Sequence, residues 1–157
     1  MGTRTKTGIA TLAFSLAVLV AMPFPMTAFA QGTFTGSWTI QSWKAAPWLG
    51  AEEARNVKPD AGMVGARIAF TAKRVSGPRI LVCDKPEYEI KDVPLEGLFE
   101  GGLTEPVTQG AALGFKPPVT TLVPGCEFEF HLRDANTALF ALNNVVYTIV
   151  RNPSSAK

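Results

Sequence analysis

Histidine and cysteine are both scarce in this 157-residue chain, which has one of the first and two of the second. A zinc site or a Cys-x-x-Cys redox pair needs more of either residue, at spacings that do not occur here. A Gly-x-Ser-x-Gly elbow and a phosphate-binding glycine loop are also missing, so the common hydrolase and nucleotide-binding signatures have no foothold. Charge of one sign is lacking as well. The net charge of +2 rests on 15 basic against 13 acidic residues, and Arg4 and Lys6 precede a cleavage signal. Without those two the balance is zero, which leaves no basic stripe for nucleic acid or anionic lipid.

The N-terminus carries a different signal. Arg4 and Lys6 come before an apolar run from Gly8 to Met22, and Ala28-Phe29-Ala30 follows. The pattern is that of a secretory leader with a small-residue cleavage site. A membrane-spanning helix needs about 20 apolar residues; this run is shorter and ends at Pro23 and Pro25. A lipid anchor has no support, since no cysteine follows the run, no twin-arginine pair occurs, and Lys6 stands where a myristoylation signal has Ser or Thr. We therefore expect residues 1–30 to be removed, residues 31–157 to form one β domain without a transmembrane segment, and the product to be periplasmic or secreted from a bacterium. In that oxidising setting Cys83 and Cys126 are expected to pair.

The remainder has the alternation of strands. Eight segments rich in aromatic and β-branched residues are separated by Gly, Pro and Asn: Phe34 to Trp43, Ala66 to Ala72, Arg79 to Cys83, Glu87 to Val93, Val119 to Leu122, Cys126 to Arg133, Thr137 to Leu142 and Val145 to Arg151. Ser76-Gly77-Pro78 predicts a hairpin between the second and third, and Asn143-Asn144 a two-residue hairpin between the last two. Between the fourth and fifth, Leu95, Leu98 and Phe99 recur at helical spacing; Thr104 as cap, Pro106 in the first turn and Gly114 past the end predict a short helix that Gly110 weakens. The expected fold class is all-β, mainly antiparallel: eight strands in a sheet closed into an eight-stranded barrel or folded into a sandwich, with a short helical insert, closure having the merit of removing exposed edges. In the segment from Cys126, the residues Cys126, Phe128, Phe130 and Leu132 face the core, while Glu127, Glu129, His131 and Arg133 face water.

Gly36-Ser37-Trp38 at the start of the first strand and Arg151 at the end of the last resemble the lipocalin or calycin barrel signature. The resemblance implies that Trp38 floors the barrel and that the guanidinium of Arg151 covers its indole, an arrangement cation–π attraction favours. It also implies a small apolar ligand inside. Small exported bacterial barrels that inhibit hydrolases are similar in size and disulfide usage.

Function is expected to lie in binding. The stretch from Trp43 to Trp48 leads into a Pro- and Gly-containing connection that runs to about Gly65, and the two tryptophans either form a contact surface or fold back to plug one end of the barrel. Phe70, Phe128, Phe130 and Phe140 are the candidate lining of a ligand cavity. His131 next to Glu129 and Arg133 reads as a solvated face with cross-strand ion pairs, a metal or proton-transfer role being the alternative. The expectation is a non-enzymatic, cofactor-free binding protein whose partner is a small apolar ligand or another envelope protein. The other readings are a periplasmic hydrolase inhibitor, an envelope structural component or an enzyme without a recognisable motif. A cavity at the four phenylalanines would favour the ligand, and a filled interior with exposed tryptophans the partner.

Overall fold

The computed structural model describes residues 1, 2 and 32–153, so the expected leader and its cleavage site lie outside the described residues apart from the first two. One antiparallel sheet of nine strands dominates: β1 (Gly36–Ala45), β2 (Arg67–Thr71), β3 (Arg74–Ser76), β4 (Cys83–Asp84), β5 (Glu89–Val93), β6 (Val119–Val123), β7 (Phe130–Asp134), β8 (Thr137–Leu142) and β9 (Val145–Arg151). Their order is β4-β3-β2-β1-β9-β8-β7-β6-β5. Among the described residues no ladder joins β4 to β5, and the sheet is a curled half-barrel in place of the expected closed barrel of eight strands.

The extra strand arises near Thr71. The hairpin turns at Ala72-Lys73, held by Thr71 Oγ1, which donates to the Arg74 carbonyl at 2.9 Å and accepts from the Arg74 N–H at 3.1 Å. Ser76-Gly77-Pro78 follows β3 and does not form the expected hairpin; the segment expected as a strand from Arg79 to Cys83 is instead a 3-10 turn, Arg79–Leu81, leading into the two-residue β4. The strand expected from Cys126 begins only at Phe130. The Asn143-Asn144 turn does form as expected, with both residues at positive φ (50° and 62°) and Leu142 opposite Val145.

The gap between the sheet margins is stitched by other means. Cys83 in β4 is disulfide-bonded to Cys126 in the β6–β7 connection, with the Cα atoms 6.3 Å apart. Nearby, the Tyr88 hydroxyl, just before β5, donates to the Thr71 carbonyl of β2 at 2.9 Å.

Strands β8 and β9 are nearly continuous apolar runs because both faces of the sheet are covered there. Ala138, Phe140, Val145, Tyr147 and Ile149 enter the inner core with Trp38, Ile40, Ile68, Phe70 and Phe130. Leu139 and Val146 face outward into a second core built from the insert: a 3-10 segment, Leu95–Gly101, and helix α2, Pro106–Leu113. Helix α1, Ala51–Asn56, lies in the long connection after β1 and buries none of its residues. Pro106 starts α2 and Gly114 ends it in the left-handed region, but the N-cap is Glu105; Thr104 instead accepts from Gln109 Nε2 at 3.0 Å. Gly110 is there for proximity: a Cβ at this position would meet Leu95 Cδ2 at 2.8 Å.

The disulfide closes a loop with a sequence separation of 43, which restricts the unfolded chain by about 4 kcal/mol in the loop-entropy model. Urea unfolding of a Cys83→Ser/Cys126→Ser variant is expected to show most of that loss; a difference below about 1 kcal/mol would contradict the disulfide as the latch of the seam.

Candidate functional site

The inner space is filled. Phe70 meets Phe130 edge-on with centroids 4.9 Å apart, Phe130 meets Phe140 at 5.2 Å, and Phe140 stacks on Tyr147 at 5.1 Å. Phe128 is buried in the same core. Among the described residues a cavity beside Phe34, Phe70, Tyr88 and Leu122 has a volume of about 10 Å³, room for one water. The four phenylalanines expected to line a ligand cavity therefore pack in the core itself.

At one end of the core Trp38 is fully buried, its indole N–H donating to the Phe34 carbonyl at 2.9 Å. The Arg151 guanidinium lies 4.3 Å from the centre of the indole ring and donates to the carbonyls of Thr33 and Thr35. Gly36 takes φ +117°, which a side chain would disfavour, where the chain turns under that guanidinium. The structure thus brings Gly36, Trp38 and Arg151 together.

The two other tryptophans lie at the opposite end. A bulge in β1 between Ile40 and Ser42 shifts the register so that Trp43 stands opposite Tyr147, on the face that turns inward. Trp43 keeps 38% of its surface exposed there. The connection after β1 is anchored beside it: Met63 is buried in the core, the Asp60 N–H donates to the Tyr147 hydroxyl at 2.9 Å, and Asn143 Nδ2 donates to Asp60 Oδ2 at 3.2 Å. Trp48 belongs to the outer side of the sheet. Its indole N–H donates to Asn144 Oδ1 at 3.1 Å and its ring packs on Phe99, centroids 5.6 Å apart.

Trp48 and Phe99 form one wall of a cleft of about 120 Å³ that is also lined by Glu100, Glu127, Glu129, His131 and Ala141. Its floor corrects the expectation for His131, which does not face water. The insert covers the outer face of β7, and His131 is fully buried beneath Phe99, the ring centroids 4.7 Å apart. The Phe99 backbone N–H donates to Nε2 at 3.0 Å, so Nε2 is the acceptor and Nδ1 carries the proton, 2.8 Å from Thr121 Oγ1. Burial, with the nearby Lys91 charge second, pushes the His131 pKa down to about 3. Glu129 Oε2 at 4.0 Å therefore faces a neutral imidazole and forms no ion pair with it; the Glu129 partner is Lys91, with Nζ 3.0 Å from Oε1. Both ring nitrogens are engaged, and among the described residues no three His, Cys, Asp or Glu side chains gather as a metal site.

Phe99 and Glu100 reach this cleft through backbone at φ +52° and +57°. Sequence reasoning missed both residues, and Ala141, as parts of a site. The available signal was the apolar spacing of Leu95 and Leu98 together with outward-facing Val119, Leu139 and Val146, which need each other as cover. Compared with models of known protein families, with curated proteins and with solved structures, the chain matches none.

The buried imidazole makes folding pH-dependent. The folded protein keeps His131 neutral down to about pH 3, whereas the unfolded chain protonates it near pH 6.5, so between those values acid favours unfolding. The contribution is fully present above pH 6.5 and is lost at about 1.4 kcal/mol per pH unit as pH falls. Urea unfolding from pH 6.5 to 4.5 is expected to show a shallower fall in a His131→Gln variant than in the parent. Equal slopes would mean that the imidazole is already charged in the folded state.

Proposed function

We propose that this chain is an exported, non-enzymatic binding protein of calycin-like design that engages a protein partner through the end of the sheet bearing Trp43 and Trp48. The observation that carries the reading is the packed interior. With about 10 Å³ free among the core rings, an apolar ligand has no room inside, and the aromatic surface available for contact is at the rim. The Arg151–Trp38 stack supports the calycin-like design. The disulfide made by the only two cysteines is compatible with an oxidising compartment. Among the described residues no helix is long and apolar enough to cross a membrane. A non-enzymatic role is supported by His131, whose ring nitrogens are both committed to structural hydrogen bonds.

Native mass spectrometry of the protein purified from the exporting cell tests this reading. The expected result is a retained protein partner, absent from preparations of Trp43→Ser or Trp48→Ser variants whose thermal midpoints match the parent. A retained lipid or other apolar small molecule would overturn the partner reading in favour of an internal ligand.

A further inference from the structure

The cleft beside Trp48 presents a polarity that selects its occupant. Its N–H donors are already spent inside the protein: Trp48 Nε1 on Asn144, the Phe99 backbone N–H on His131, and His131 Nδ1 on Thr121. The polar side chains that remain at its wall are the carboxylates of Glu100, Glu127 and Glu129, which only accept. Lys91 reaches one oxygen of Glu129 and does not line the cleft. The other wall is aromatic, formed by Trp48 and Phe99. The cleft volume of about 120 Å³ is ample for a small planar head group.

A donor-rich, flat cation meets these conditions. We infer that the cleft formed by Trp48, Phe99, Glu100, Glu127 and Glu129 binds a guanidinium group. Guanidinium carries its N–H donors in a rigid fork suited to carboxylates, stacks on aromatic faces, and is more weakly hydrated than an ammonium. Trp is also the aromatic residue most attractive to a cation. This rests on the partner-binding reading for one source of the cation, an arginine side chain of the partner; a free small guanidinium compound is the other.

The probe is ethylguanidinium, with N-ethylurea as a neutral control of similar shape, and the readout is the Trp48 indole N–H resonance in the full mature chain. Ethylguanidinium is expected to shift that resonance saturably, and N-ethylurea to leave it unmoved. Affinity is expected to fall at least tenfold in a Glu127→Gln/Glu129→Gln variant and severalfold in Glu100→Gln, an exposed position where folding is not at stake. An arginine-containing peptide that binds at least tenfold more tightly than ethylguanidinium assigns the cation to a protein partner; equal affinities assign it to a free compound, and both results uphold the site. The inference is overturned if no saturable shift occurs, if N-ethylurea binds as well, or if Glu100→Gln binds like the parent. Should guanidinium fail while the Trp43→Ser and Trp48→Ser variants still lose a partner, this inference falls and the partner-binding reading stands.

Discussion

Covering the outer face of β6–β9 is the constraint on which the rest of the structure depends. Strands β8 and β9 are apolar on both sides and β6 adds Val119 on the outer face, whereas the curled sheet hides only the inner one. The insert between β5 and β6 supplies the second cover, with Leu95, Leu98, Leu103 and Leu113 set against Val119, Leu139 and Val146. Once it is seated, His131 loses water and is held neutral, and its free nitrogen becomes the acceptor that ties down the Phe99 backbone. Phe99 and Glu100 then stand in left-handed conformations that non-glycine residues adopt only when their surroundings insist. The cleft beside Trp48 follows from how the outer core is closed.

The inner core follows a different logic. Its rings run in contact from Phe70 through Phe130 and Phe140 to Tyr147, and each occupies volume that an internal ligand would need. The two ends are finished differently. Arg151 seals the Trp38 end by stacking and by donating to the chain just before β1. At the other end Tyr147 and Met63 hold the long connection in place, and Trp43 is left partly exposed. The interior is thus packed, with one end sealed and the other left aromatic.

Features governed by short-range rules were legible in the sequence. Asn143-Asn144 marks its turn because few residues tolerate two successive left-handed conformations, and Pro106 and Gly114 bound α2 for equally local reasons. Two cysteines leave one intramolecular pairing, and Gly36, Trp38 and Arg151 mark the two chain segments that meet at one end of the core. What was hidden depends on distant cover or on a weak turn. The Ala72-Lys73 hairpin has neither glycine nor asparagine and relies on the Thr71 hydroxyl, so the residue pattern does not mark β3 and Ser76-Gly77-Pro78 carries the stronger turn signal. Alternation showed correctly that Phe130 and His131 face opposite ways, but period two does not reveal what lies over each face. The bulge that turns Trp43 inward leaves no mark in the residue pattern either.

The margins of the sheet carry one more implication. One is a strand of two residues and the other is studded with Glu89, Lys91 and Asp92, so neither offers a long apolar edge to a neighbouring chain. Between them the join is covalent, made by sulfur chemistry that reducing surroundings prevent. Completion of the seam therefore depends on surroundings that oxidise thiols: where they stay reduced, the two margins are left unfastened and the sheet keeps only its hydrogen bonds and packing.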